Sequence, residues 1–190
     1  MVLNTTQADA RGLTATVRVV GLDNRELFTR SDRVDALSNR ATALAAVPLD
    51  RLFAEHPMVL VSLKLTDAAG KPVSDNFYWR GKDSAAYRAL DTLAPATLTA
   101  QMASPVVDGV DRMVVATLKN DGPVPALNAK LTLVDAAGKR ILPAYYSDNY
   151  VALLPGESKT LTVRYPATIA GAPALTLRGW NVAETAVPMR

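Results

Sequence analysis

Cysteine is absent from this chain, and histidine occurs once, as His56. The first absence excludes disulfides, thiolate nucleophiles and thiolate-held zinc, and the second leaves the lone imidazole without a companion for a common zinc site. It does not identify a compartment, because exported domains also go without cysteine. No run of about 18 apolar residues exists to cross a membrane. The opening residues MVLNTTQADARG have neither the basic nor the hydrophobic segment of a signal peptide. Aromatic residues are scarce, at 6%, and Arg11, Arg18, Arg25, Arg30, Arg33 and Arg40 are scattered rather than clustered. A nucleic-acid groove needs a basic stripe interleaved with stacking platforms, so neither nucleic acid nor a membrane is an expected partner.

The usual catalytic patterns are missing too. There is no G-x-S-x-G elbow, no acidic calcium loop and no glycine-rich phosphate cradle, and His56, directly before Pro57, is the single imidazole that could serve a nucleophile. It reads as a surface or loop-packing residue. Asp108 and Asp111 are close in sequence, yet they flank Gly109 in VDGVDR and read as solvated hairpin residues rather than as an acid and base facing each other across a sugar. No catalytic, cofactor-binding or metal-binding residue is therefore assigned.

What the chain does contain is β-strand grammar, with one phrase used twice. LKLTDAAGK from Leu63 returns as LTLVDAAGK from Leu131, 68 residues later. Alternating leucines precede an Asp-Ala-Ala-Gly-Lys turn in both copies. The aspartate suits the first turn position and the glycine suits a positive φ, which predicts two related β-domains in tandem and a structural role for Asp67 and Asp135. Elsewhere Leu13, Ala15, Val17 and Val19 alternate with Thr14, Thr16 and Arg18, and Val59, Val61, Leu63 and Leu65 alternate with Ser62, Lys64 and Thr66, the period of half-buried strands. Leu49 to Glu55 suits one helical turn closed before Pro57. Between Arg80 and Pro95 the pattern changes: Ser84 is a candidate N-cap for a short helix bearing Tyr87, Leu90 and Leu93. In the second half, strands are expected over 98–102, 114–118, 129–134, 139–146, 160–165 and 175–182. The reading is all-β: two tandem immunoglobulin-like β-sandwiches at 1–81 and 97–190, joined by a short partly helical connector at 82–96.

Two aromatic groups stand out, SDNFYW around Phe77, Tyr78 and Trp79, and YYSDNY with Tyr145, Tyr146, Asn149 and Tyr150, joined by Trp180 in GWN. Aromatic faces stack on sugar rings and neighbouring amides bind hydroxyls, so Tyr145, Tyr146, Asn149, Tyr150 and Trp180 are candidate contacts to an oligosaccharide or to another domain; the alternative is that the aromatics fill the cores. Strict alternation sets Trp180 opposite Leu175 and Leu177, so either a bulge at Gly179 returns it to the core or it faces another domain.

The stretches SDNFYW, SAAYRALDTLAPATL, LKNDG, LTLVDAAGK, LPAYYSDNYVALLPGESKTLTV and GWNV together resemble the C-terminal β-domains of family 2 glycoside hydrolases, of the β-mannosidase and exo-β-D-glucosaminidase type. That resemblance implies a long secreted or periplasmic enzyme whose catalytic barrel, with two glutamates, lies outside this sequence. Glu26, Glu55, Glu157 and Glu184 fall in sandwich strands or turns, and no catalytic role carries over to them. The implied partners are the barrel and other domains of the same parent chain, which these sandwiches would brace while extending the substrate groove. An autonomous carbohydrate-binding module and a protein-interaction or adhesion module are the alternatives. MVLNTT resembles the second half of a family strand, with Asn4, Thr5 and Thr6 matching. The first domain is then expected to lack its opening strand, and residues 1 to 12 to be poorly ordered or to associate with another copy through the unfilled sheet edge.

Overall fold

The computed structural model describes residues 1–169 and 171–190. The chain divides into two compact units, Met1–Thr92 and Leu93–Arg190. Both are built from antiparallel strands in stacked sheets, as the alternating pattern requires.

The first unit contains β1 (Val2–Asn4), β2 (Ala10–Val20), β3 (Glu26–Ala36), β4 (Arg40–Thr42), the single helical turn α1 (Leu49–Leu52), β5 (Met58–Thr66), β6 (Pro72–Gly81) and a 3-10 helix over Ala85–Thr92. Its main sheet has the order β3-β2-β5-β6, and β1 with β4 forms a two-stranded sheet. Leu13 and Ala15 of β2 join Val34 and Ala36 of β3 in one buried cluster, against which Val2, Leu44 and Leu65 pack. Val19, Val59 and Val61 make a second cluster, covered by Val47, Leu49, Leu52 and Phe53 around α1. Each fully buried valine or leucine among them contributes about 1.5–3 kcal/mol by leaving water.

One local expectation is corrected here, the cap of the connector helix. At the N-terminus Val2 to Asn4 pair with Thr42 to Arg40 of their own chain, and β2 begins at Ala10. Asn4 is buried, its side chain bonded within the unit, which fastens this segment locally. The helix after Arg80 is 3-10, and its start is capped by Asp83 rather than Ser84, because the Asp83 Oδ1 accepts the Ala86 N–H at 3.0 Å. The Tyr87 hydroxyl donates back to the Trp79 carbonyl at 3.2 Å.

The second unit contains β7 (Thr99–Met102), β8 (Val106–Asp108), β9 (Asp111–Lys119), β10 (Ala126–Val134), β11 (Tyr145–Tyr146), β12 (Val151–Leu153), β13 (Ser158–Pro166), β14 (Ala174–Arg178) and β15 (Thr185–Val187). One sheet runs β12-β10-β14-β15 and the other β11-β13-β9-β7, with β8 paired to β9. Val114, Ala116 and Leu118 of β9 and Leu161, Val163 and Tyr165 of β13 face Leu131, Leu133, Leu175 and Leu177 across the core.

The repeated turn is the same object twice. Asp67 Oδ1 accepts the Ala69 and Lys71 N–H groups, each at 2.9 Å; Asp135 Oδ1 accepts those of Ala137 and Lys139, also at 2.9 Å. Gly70 and Gly138 sit at φ 80° and 78°, where a side chain would be strained. The structural role read for both aspartates is what the geometry shows, but the repeat is one of turn chemistry and not of topology. After Gly70 the chain returns as β6 beside β5. After Gly138 it pairs only briefly, at Arg140 with Val134, and then crosses to the opposite sheet as β11. The strand expected over 139–146 therefore does not form: Pro143 has no N–H to give a ladder, and the hairpin ends before it. The closing strand likewise stops at Arg178, where the Gly179 N–H turns to bond Val182 O at 2.9 Å.

Candidate functional site

Five of the motifs, NTT, SDNFYW, LKNDG, YYSDNY and GWNV, each hold an asparagine, and four of these carboxamides are spent on the backbone. A carboxamide presents the same C=O and N–H pair as a peptide group, so it can stand in for a missing strand neighbour. In NTT, Asn4 Nδ2 donates to Ala8 O and Ala36 O, both at 2.8 Å, while its Oδ1 accepts the Thr6 N–H. In LKNDG, fully buried Asn120 donates to Val124 O and Leu153 O, both at 2.8 Å, and accepts the Gly122 N–H. The Asn120 backbone also bonds the LLPGES turn, donating to Glu157 O and accepting from the Gly156 N–H. Glu157 closes that turn by accepting the Leu154 N–H at 2.9 Å. In GWNV, Asn181 accepts the Leu127 N–H and donates to Ala94 O and Pro125 O.

YYSDNY does the same along the edge of β10. β12 pairs with β10 at Ala126 and Ala129 and goes no further. Beyond it, Asn149 Oδ1 accepts the Leu131 N–H at 2.9 Å and Asn149 Nδ2 donates to Leu131 O at 3.0 Å, so the side chain continues the ladder. One step on, the Leu133 N–H donates to the Tyr146 hydroxyl at 2.9 Å, and the Ile141 N–H bonds Leu133 O. Burial holds the Tyr146 phenol above its ordinary value, against the opposing pull of that Leu133 N–H.

The aromatics do not assemble into one platform. Tyr145 opposes Arg164 on the outer side of its sheet, whereas Tyr146 opposes Val163 on the core side. Tyr150 lies under the Lys130 ammonium, 5.4 Å from the ring centroid, and Lys130 alternates with buried Leu131 and so faces out from the other sheet. Tyr145 and Tyr150, 65% and 59% exposed, therefore sit on opposite outer faces of the sandwich. Trp180 is 51% exposed, so Gly179 does not return it to the core; its N–H bonds Leu127 O. A Cβ on Gly179 would lie 2.7 Å from that same carbonyl, which is why the chain can pass so close there.

Asp108 opposes Asp111 across the β8–β9 hairpin and is ion-paired with Arg164, as the solvated reading requires. Glu26 pairs with Arg18 at 2.7 Å. The Ser38 N–H, helped by Arg11, holds Asp9 below the usual carboxylate value, and Lys119 does so for Asp121, the opposite direction from a general acid. His56 shares a 3.0 Å contact with Arg25 at the surface. No group of three or more metal-ligating side chains exists among the described residues, and no helix there is long and apolar enough to cross a membrane. The first unit does hold a groove of about 600 Å³, lined by Met1 to Leu3, Ala15, Val17, Leu44 to Val47, Leu63, Leu65 and Tyr78. Apolar side chains predominate in its lining, which also includes Thr16, Asp32, Lys64, Ser74 and Asn76.

Against this geometry, residues 76–182, more than half of the chain, match the family model described as the exo-β-D-glucosaminidase Ig-fold domain. The chain belongs to that family. Residues 1–82 match a second model, the mannosidase Ig/CBM-like domain. Over 99% of its length the chain is 33% identical to an exo-β-D-glucosaminidase of Amycolatopsis orientalis, of which it covers 20%. It is 32% identical to an exo-β-D-glucosaminidase of Streptomyces avermitilis, of which it covers 23%. A crystal structure of an Amycolatopsis orientalis exo-chitosanase superposes with a TM-score of 0.86 at 29% identity, over 98% of this chain and 25% of that one. The exo-β-D-glucosaminidase Ig-fold chain thus spans a fifth to a quarter of the proteins it matches, and its sandwiches are Ig-like domains of family 2 glycoside hydrolases.

Proposed function

We propose that this chain is a non-catalytic accessory region of a family 2 glycoside hydrolase of the exo-β-glucosaminidase or β-mannosidase kind, bracing the catalytic barrel of an exported parent. The observation that carries the reading is the fate of the polar motif residues. Asn4, Asn120, Asn149, Asn181 and Glu157, the side chains that would otherwise address sugar hydroxyls, are bonded to their own backbone. Tyr145, Tyr150 and Trp180 remain outward, as does Tyr78 beside exposed Asn76 in the first unit, and Tyr145 and Tyr150, on opposite faces, suit contacts to the rest of a longer chain, or to the end of its substrate groove, better than a single sugar platform.

The test assays the 190-residue chain alone on chromogenic β-glucosaminide and β-mannoside and titrates it with oligosaccharides of both kinds. No turnover, no heat and no melting shift at millimolar sugar are expected. In the parent enzyme, deleting this region should lower the melting temperature. Turnover by the chain alone that disappears when one of its own carboxylates is changed overturns the proposal, and saturable heat lost in Tyr150→Ala would favour the autonomous binding module.

A further inference from the structure

Two Asp-Gly dipeptides occur in the chain, Asp108-Gly109 and Asp121-Gly122. They read alike in sequence, and the fold gives them opposite surroundings. An aspartate side chain is short enough for its carboxyl carbon to meet the next backbone nitrogen, and a glycine at that next position puts no Cβ in the way. Whether the two groups react then depends on what else holds them.

At Asp121 both groups are held. The Gly122 N–H donates to Oδ1 of fully buried Asn120 at 3.0 Å. The carboxylate is shared between Lys119, whose Nζ lies 2.6 Å from Oδ1, and the Thr99 hydroxyl, which donates to Oδ2 at 3.2 Å. At Asp108 the nitrogen is free: the Gly109 N–H has no acceptor among the described residues. Gly109 sits at φ 65°, and a Cβ there would meet nothing within 4 Å. The Asp108 carboxylate is held by Arg164 in an exposed ion pair, of a kind that holds weakly. β8, which ends at Asp108, is three residues long and has β9 as its one neighbour, so local opening of this hairpin is cheap.

We propose that Asp108-Gly109 is a site of spontaneous isomerisation to isoaspartate, with water as the co-reactant, and that the fold protects Asp121-Gly122 from the same reaction. In the protonated acid, the Gly109 nitrogen attacks Asp108 Cγ. An N–Cγ bond forms, the Cγ–OH bond breaks, and the hydroxyl departs with the amide proton as water. One water then opens the cyclic imide at the Asp108 main-chain carbonyl, breaking that C–N bond, so the chain stays joined through Cγ and the α-carboxylate is free. Composition and net charge are unchanged, and the backbone gains a methylene. At the closing pair of a tight hairpin this disrupts the Asp108–Asp111 register and moves the carboxylate away from Arg164, which releases β8 from β9. The inference is independent of what the longer relatives hydrolyse.

The test holds the folded chain at neutral pH, below its melting transition, and maps its peptides for isoaspartate over time. Isoaspartate should form at Asp108 more than about tenfold faster than at Asp121, a barrier difference of about 1.4 kcal/mol. In urea the two rates should converge, because Asn120 no longer holds the Gly122 N–H. Asp108→Glu, whose ring closure spans one more methylene, should abolish the reaction at that position and leave Asp121 as it was. Hydrogen exchange of the β9 amides opposite β8 should be faster in the converted chain. Equal rates at the two sites in the folded chain overturn the proposal. So does a folded chain that stays unconverted at Asp108 while the urea-unfolded chain converts, or a rate ratio that persists unchanged in urea.

Discussion

Asn149→Asp tests the idea that a side chain completes the β10 ladder, because it changes one functional group without changing shape. The new carboxylate still accepts the Leu131 N–H, at the position where Oδ1 now stands 2.9 Å away. Across the other bond, however, a donor becomes an acceptor, and two oxygens face each other where Nδ2 and Leu131 O are now 3.0 Å apart. Leaving a part-buried carbonyl unpaired costs about 1–3 kcal/mol, and each kcal/mol lowers the melting transition of a domain of this size by roughly 4–8 °C. The pH dependence carries a sign. Protonation lets the carboxyl donate to Leu131 O, so the neutral form is favoured when folded and its pKa is raised above the unfolded value of about 3.9. The deficit against wild type is then smallest below that value and grows as pH rises through the raised one. Urea unfolding at pH 4 and pH 7 reads both effects. A deficit under about 0.5 kcal/mol at pH 7, within the range of an ordinary surface change, refutes the reasoning.

Asp67→Ala and Asp135→Ala each remove the acceptor for two N–H groups in matching geometry, so each should destabilise its own unit by about 1 kcal/mol. Calorimetry of the two transitions would expose any large inequality. Gly179→Ala, whose Cβ would stand 2.7 Å from Leu127 O, should cost about 1–3 kcal/mol by overpacking. Gly138→Ala meets open space and pays only for its positive φ, about 1–2 kcal/mol. Tyr146→Phe strips the Leu133 N–H of its acceptor and should cost about 1–3 kcal/mol at pH 7. Because the folded phenol is raised above its ordinary 10.0, wild type loses stability as pH climbs past that value, and the substitution should flatten the alkaline limb of its pH profile. Tyr150→Ala, at an exposed position, should change stability by less than about 0.5 kcal/mol.

The class of fold was legible from local signals. Period-two alternation over Leu13 to Val19 and Val59 to Leu65 located β2 and β5, and Asp with Gly at fixed spacing located both five-residue turns. Those features depend only on neighbours along the chain. The crossing after Gly138 was hidden because the turn reads the same in both copies, and only Pro143 hinted that the second hairpin would not continue. The site was less legible still. YYSDNY reads as a cluster in one dimension, yet the sandwich sends Tyr145 and Tyr150 to opposite outer faces and Tyr146 inward.

By itself, then, the order of residues determined that this chain is all-β, has no thiol chemistry, and carries alternating strands closed by Asp-Gly turns, because each of those properties is settled by composition or within a few residues. Tertiary structure decided what the asparagines are for. Asn149 reaches Leu131 18 residues away, Asn4 reaches Ala36 32 away, Asn120 reaches Leu153 33 away and Asn181 reaches Leu127 54 away. A carboxamide that could serve a sugar or a peptide equally well is committed only when a distant strand edge is folded against it, and no local pattern records which edge that is.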